Sequence, residues 1–307
     1  MMFEGRVLKS TGSWFEVELP NQKTISCRIR GQLRLKGISS TNPVAVGDIV
    51  NVQEQTDGSG VILDIKERTN YIIRKSINLS KQTHILAANI DYAWIVVTPV
   101  FPKTSTGFID RFIAAAESYH IPVGIIFNKS DLFINHLSEI QHEYLDIYES
   151  LGYKCIKVSS HSREGIEDLQ VLLNGKVNLL TGHSGVGKSS LINAIIPDLN
   201  LKVGEISKQH LKGKHTTTFA EMHKVNESTY IIDTPGIREF VNIDFVPSEI
   251  SHYFIEMREL LNDCKFNNCL HENEQQGAVK AAYDAGKIHP DRYYNYLSIL
   301  HNEDNFK

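Results

Sequence analysis

No stretch of the 307-residue chain approaches the roughly 18 consecutive apolar residues that a membrane-spanning helix requires. The richest runs, Ile90–Phe101 and Ile121–Phe127, are strand-length. The opening residues, Met1-Met2-Phe3-Glu4-Gly5-Arg6, contain no apolar core of a secretory leader. Four cysteines, Cys27, Cys155, Cys264 and Cys269, are too few for a disulfide scaffold of this size, which points to a reducing compartment. A basic excess is missing as well. Lys and Arg number 32 against 36 Asp and Glu, a formal net charge of −4 that does not advertise a nucleic-acid binder. The expectation from these absences is a soluble, cytoplasmic protein with no membrane partner. Apolar residues at 41% suffice for real cores, and the length suits two or three domains.

The total charge hides an asymmetry. Between Leu19 and Gly47 the charged residues are Lys23, Arg28, Arg30, Arg34 and Lys36, all basic, whereas residues 243–307 carry six basic residues against eleven acidic ones. Residues 1–70 have the texture of an all-β unit. Short alternating runs at Arg6–Leu8, Trp14–Leu19, Thr24–Arg30, Asp48–Gln53 and Val61–Lys66 are separated by turn signals such as Thr11-Gly12 and Asp57-Gly58. Five strands in so short a span suit a small OB-like barrel. Its basic segment, flanked by Trp14 and Phe15, would offer charge and stacking surface to RNA. The plainer alternative is the solvated face of a strand pair.

Residues 71–242 form the next expected unit, in which apolar strands alternate with helical patterns from about residue 90. Strands are expected at Tyr92–Thr98, Val123–Phe127, Cys155–Ser159, Val177–Leu180 and Tyr230–Ile232, and helices at Ile109–Tyr119, Ser138–Leu151, Ile166–Leu173 and Ser189–Ile196. Alternation of this kind builds an α/β domain on a mostly parallel sheet. Residues 243–307 form a small helical unit, with helices expected at Pro247–Leu261, Ala278–Ala285 and Asp291–Leu300.

The strongest motif is Gly182-His183-Ser184-Gly185-Val186-Gly187-Lys188-Ser189, a G-x-x-x-x-G-K-[ST] loop between an expected strand and an expected helix that opens with Ser189 and Ser190. Glycines let backbone N–H groups turn inward around phosphate oxygens, Lys188 reaches the β/γ-phosphates, and the Ser189 hydroxyl serves Mg²⁺. Asn128-Lys129-Ser130-Asp131 follows a strand, as N-K-x-D should. The Asp131 carboxylate would accept from guanine N1 and N2, Asn128 would read O6, and the Lys129 stem would lie along the base. Ser159 and Ser160 would add a backbone N–H. Asp233-Thr234-Pro235-Gly236 is a D-x-x-G whose carboxylate would reach Mg²⁺ through water and whose Gly236 N–H would meet a γ-phosphate. Before it runs Lys212-Gly213-Lys214-His215-Thr216-Thr217-Thr218, placed like a first switch loop, where Thr217 is the candidate to complete the Mg²⁺ shell. Each lesser motif has a bland reading as an ordinary polar turn. Their company and their strand contexts outweigh it.

Their order is unusual. Familiar GTPases run phosphate loop, switch, D-x-x-G and then N-K-x-D, whereas here Asn128–Asp131 and Ser159 precede the phosphate loop, so the nucleotide fold is circularly permuted. Permuted order, an N-terminal barrel, the switch sequence around His215 and a C-terminal Cys/His cluster together resemble the RsgA family of small-ribosomal-subunit biogenesis GTPases, over essentially the whole chain. The resemblance implies GTP and GDP as substrate and product, Mg²⁺, the small ribosomal subunit and its rRNA as partner, a monomer, and hydrolysis stimulated by the subunit. A rival reading is a GTP-gated RNA-binding assembly factor in which hydrolysis is incidental. Ile237 follows the D-x-x-G where many GTPases place a water-orienting Gln, and an isoleucine cannot position water. His215, matching the family's switch histidine, is then the catalytic candidate, as a neutral imidazole that orients or deprotonates the attacking water; otherwise it is a surface histidine.

Cys264, Cys269 and His271 place three soft or borderline ligands within eight residues, a spacing suited to Zn²⁺. The family pattern adds a Cys six residues after the His, and this chain has Gly277 there. Either Asp263, Glu272, Glu274 or water completes the shell, or the metal is weakened or lost and the two cysteines pack as small apolar residues.

Overall fold

The computed structural model describes residues 1–30, 43–75, 83–134, 136–201, 220–233, 245–266, 268–274 and 277–303. Strands β1 (Met2–Ser10), β2 (Phe15–Glu18), β3 (Thr24–Ile29), β4 (Ile49–Glu54) and β5 (Gly60–Ile65) close on themselves in the order β1-β2-β3-β5-β4-β1. The closing seam is antiparallel, with Gly5 opposite Val50, and β3 runs parallel to β5. Alternate residues point inward, so Val7, Phe15, Val17, Cys27, Val50, Val52 and Ile62 fill an OB-like barrel. That alternation corrects one expectation. Phe15 is buried in the core and offers no stacking surface, while Trp14, Arg28 and Arg30 stay exposed. Arg28 lies over the Trp14 ring at 3.9 Å. Arg34 and Lys36 lie outside the described residues.

The barrel does not run straight into the α/β unit. A hairpin of β6 (Tyr71–Lys75) and β7 (Thr83–Ala88) intervenes and touches the barrel by a bridge between Val46 and Ala87. Next come β8 (Tyr92–Val97), α1 (Thr106–Ser118), β9 (Val123–Phe127), α2 (His136–Glu149), β10 (Lys154–Lys157), α3 (Ile166–Leu173), β11 (Val177–Gly182) and α4 (Lys188–Ile195). They are followed by β12 (Glu221–Lys224) and β13 (Tyr230–Asp233). The sheet order is β10-β9-β8-β11-β13-β12, parallel except for β12. Strands β8, β9 and β11 are almost wholly buried because helices cover both faces: α1 and α2 on one, α3 and α4 on the other. Between β8 and β11 the winding reverses, and such a switch point leaves a crevice at the carboxyl ends of the strands. The edge strand β12 pairs with β1, Lys9 opposite Glu221, which joins the barrel and the α/β sheet into one ladder.

The C-terminal unit is helical but more broken than its pattern suggests. Pro247–Tyr253 is a 3₁₀ segment, followed by α5 (Ile255–Arg258) and a further 3₁₀ turn at Leu261–Asp263. The single helix expected over Pro247–Leu261 is interrupted at Phe254, whose backbone is extended. That break sets the buried Phe254 ring edge-on to Tyr296 at 5.6 Å, so tertiary packing overrides helix propensity. Helices α6 (Ala278–Asp284) and α7 (Pro290–Leu300) complete the unit, which packs on Ala114 of α1. Among the described residues, no helix is long and apolar enough to cross a membrane.

Candidate nucleotide and metal sites

The phosphate loop leaves β11 at Gly182 and enters α4 at Lys188, at the crevice between β8 and β11. Gly187 has a positive φ of 92°, and a Cβ there would stand 2.5 Å from Asn128 Nδ2. Only glycine combines that backbone with so close a neighbour. Val186 is buried, Ser184 and Gly185 are exposed, and His183 packs against Phe108 of α1 with ring centroids 3.7 Å apart and the planes tilted by 32°. Ser189 and Ser190 occupy the half-buried first turn of α4.

Residues 128–131 and the phosphate loop, about fifty residues apart in the chain, are stitched together. Asn128 is fully buried; its Nδ2 donates to Val186 O at 2.8 Å, and its Oδ1 accepts from Ser160 N at 3.3 Å. The asparagine expected to read guanine O6 also ties two loops together, using one of its two amide N–H groups. Lys129 Nζ donates to Gly185 O at 2.7 Å and to Phe101 O at 2.8 Å, laying its stem across the crevice. Ser159 Oγ donates to Asp131 Oδ1 at 2.6 Å and accepts from the N–H groups of His161 and Ser162. One oxygen of Asp131 is thus oriented, and Oδ2 has no partner among the described residues. Ser130 donates to Glu164 at 3.0 Å. Nothing in the sequence marks Phe101, Phe108 or Glu164, because their contributions are a carbonyl, a ring face and a remote carboxylate.

At the end of β13, Asp233 Oδ1 is buried and lies 3.1 Å from Lys188 Nζ, an ion pair without hydrogen-bond geometry. The lysine and carboxylate that phosphate and magnesium chemistry require are therefore neighbours already. His215, Thr217, Gly236 and Ile237 lie outside the described residues.

The second constellation holds Cys264, Cys269 and His271, whose ligand atoms all lie within 4.8 Å of one another. Cys264 Sγ is 3.6 Å from His271 Nδ1. Tetrahedral zinc, with Zn–S near 2.3 Å and Zn–N near 2.05 Å, sets sulfur and nitrogen about 3.6 Å apart, so the donor set fits the ion. Burial holds the His271 imidazole below its ordinary range, in the neutral form that ligates. Ala278 N donates to Cys264 Sγ at 3.3 Å. Tyr293 and Tyr296 of α7 donate to the carbonyls of His271 and Leu270, each at 2.8 Å, and fasten the loop to its helix. Among the described residues no carboxylate joins the group.

Comparison with known proteins agrees with this anatomy. The family model for the RsgA N-terminal domain matches residues 4–62, and that for the RsgA GTPase matches residues 65–242. A protein of Bacteroides fragilis named small ribosomal subunit biogenesis GTPase RsgA is 49% identical over 99% of this chain and 98% of its own. A Flavobacterium johnsoniae protein of the same name is 48% identical over 98% of this chain and 93% of its own. Among solved structures, YjeQ from Thermotoga maritima superposes with a TM-score of 0.80 at 33% identity, covering both chains fully. YloQ, described as a circularly permuted GTPase, superposes with a TM-score of 0.76 at 29% identity over 100% of this chain and 96% of its own. Likeness of this extent, running through barrel, permuted sheet and helical tail alike, makes the chain a member of the RsgA GTPase family.

Proposed function

We propose that this chain hydrolyses GTP to GDP and phosphate in the service of small-subunit assembly, binding the small ribosomal subunit and its rRNA, with turnover raised by the subunit. The observation that carries the reading is the stitching of Asn128 and Lys129 to Val186 and Gly185. It puts a guanine-type motif beside a phosphate loop despite their inverted order.

In this reading the loop N–H groups between His183 and Ser189 cradle the phosphates, and Lys188 leaves Asp233 for the β/γ-oxygens. Asp131, held by Ser159, accepts from guanine N1 and N2, and a backbone N–H of the Ser159–Ser160 turn reaches the base edge by leaving its present acceptor, Glu164 O for Ser159 or Asn128 Oδ1 for Ser160. Asn128 holds the loops in register with one amide N–H and reads guanine O6 with the other. Ser189, Thr217 and, through water, Asp233 hold Mg²⁺, which neutralises charge developing on the phosphates. Gly236 N–H meets the γ-phosphate, and His215 orients the attacking water or takes its proton. Trp14 with Arg28 supplies a cationic stacking face on the barrel toward rRNA. Cys264, Cys269 and His271 hold Zn²⁺, which ties the tail loop. One chain carries every residue the reading needs, so it acts as a monomer, in the cytoplasm where subunits are assembled.

Single-turnover GTP hydrolysis, measured with and without purified small subunits, tests the proposal. Strong stimulation is expected, and His215→Ala should keep GTP binding while losing most of the stimulated rate. No stimulation would favour a GTP-gated RNA-binding factor, and unchanged stimulated turnover in the variant would remove His215 from the chemistry.

A further inference from the structure

Three ligands suffice for a zinc site only if something fills the fourth position. The carboxylates nearest in sequence are occupied elsewhere. Glu274 accepts from the N–H groups of Leu270 at 2.6 Å, Glu272 at 3.0 Å and Asn273 at 3.2 Å, so it serves as an internal staple of the loop. Glu272 pairs with His301 at 3.0 Å. Asp263 does not join the group.

Gly277 marks where a fourth ligand would enter. A Cβ built there would lie 3.7 Å from Cys269 Sγ and 3.6 Å from Glu274 O, ordinary contacts on the very side of the cluster. The backbone at Gly277 is extended, with φ −78° and ψ 119°, which any residue adopts. Neither space nor backbone demands glycine, so its effect is to leave one coordination position without a protein donor. Cys264 is half-buried, which gives solvent a way to the centre, whereas Cys269 and His271 are buried.

The geometry points to an open metal centre: three protein ligands, Cys264, Cys269 and His271, and a fourth position at Gly277 that holds exchangeable water and accepts a small thiol in its place. The inference rests on the zinc reading above and adds that this centre differs from a closed structural site. A closed four-ligand site holds its ion by protein donors alone, and an open one exchanges its last ligand with solution. The Glu274 staple and the two tyrosine bonds keep the loop folded around three ligands, which lets the fourth be surrendered.

The test uses the full chain, loaded with Zn²⁺ or with Co²⁺ as a coloured substitute, beside Gly277→Cys and Gly277→Ala. Wild type should take up one metal per chain, and 2-mercaptoethanol should shift its cobalt absorption bands. Gly277→Cys should resist a competing chelator on the order of tenfold or more better, with bands that ignore the added thiol. Gly277→Ala, with the same Cβ and no sulfur, should behave as wild type. A wild-type spectrum silent to thiol, or a cysteine variant that holds zinc no more tightly, overturns the open position while leaving zinc in place. Failure of wild type and Gly277→Cys alike to bind metal overturns the zinc reading itself.

Discussion

Arg292 of α7 donates to Asp110 of α1 at 2.6 Å, with both side chains enclosed by protein and 182 residues of chain between them. The same guanidinium takes both oxygens of Glu256, at 2.8 and 3.0 Å, and covers the Phe254 ring at 4.5 Å. One helix, α1, thus meets the tail through Asp110 and the phosphate loop through Phe108. Removing one partner of a buried pair strands the other charge at a cost of about 3–5 kcal/mol. Arg292→Ala should lose stability of that order in urea unfolding. Arg292→Met combined with Asp110→Asn and Glu256→Gln should lie nearer wild type, because neither carboxylate partner of the guanidinium is then left charged; equal losses in both would mean that packing, and not charge, dominates.

In the proposed reading Asp131 sets the choice of base. Hydrogen bonds to a charged group contribute about 1.5–3 kcal/mol, so Asp131→Asn should weaken GTP binding roughly ten- to hundredfold. Xanthosine triphosphate, which has a carbonyl where guanine has its amine, should bind the variant better than GTP does. Equilibrium titration with both nucleotides checks this, and an undiminished preference for GTP would deny Asp131 the base contact.

Gly187→Ala tests the clamp between the loops. The new methyl would collide with Asn128 Nδ2 on a backbone with positive φ. Strain of about 1–3 kcal/mol is expected, and relieving it pulls Asn128 away from Val186. Nucleotide affinity should fall further than thermal stability. Gly286, also at positive φ but with open space around it, is the control: Gly286→Ala should leave nucleotide binding untouched.

Glu274 gives the tail loop a pH dependence. Burial opposes its charge, yet the N–H groups of Leu270, Glu272 and Asn273 outweigh that and hold its pKa below the ordinary 4.5. A carboxylate whose pKa is lower folded than unfolded contributes stability that is fully present above the unfolded value and is lost as pH falls through the folded one. Glu274→Gln should therefore lower the thermal midpoint at neutral pH, and the gap to wild type should close on acidification below about pH 4.5. A gap constant with pH would show that the charge is irrelevant.

Period and punctuation carried much of this architecture. Alternating residues announced the barrel strands, and the apolar runs at Tyr92–Val97 and Val123–Phe127 announced buried parallel strands. The hairpin at 71–88 escaped because its first strand directly follows the barrel and no strong turn signal separates the two. Strand β12, Glu-Met-His-Lys, has a single buried side chain, Met222, and takes its conformation from pairing with β13. At the site, residue types and spacing named the loops, but Asn128's clamp, Lys129's bridge to Phe101 O and the Phe108–His183 ring contact arise from packing between distant segments. No local pattern encodes such contacts. The Phe15 error was one of direction: Trp14 lies just before β2 and stays exposed, whereas Phe15 opens the strand and faces the core.

The join between β1 and β12 bears on how the chain could be divided. β12 is the outermost strand of the nucleotide-binding sheet, and Lys9 covers part of its free rim while Glu18 takes Lys224 at 2.6 Å and the Tyr230 hydroxyl at 2.5 Å. Cutting the barrel away would remove the Lys9–Glu221 pairing and uncover Lys224 and Tyr230, leaving the whole rim of β12 open as a template on which sheets stick to one another. An isolated GTPase fragment beginning near residue 71 would then be prone to aggregate, and the barrel acts as the guard of its neighbour's edge.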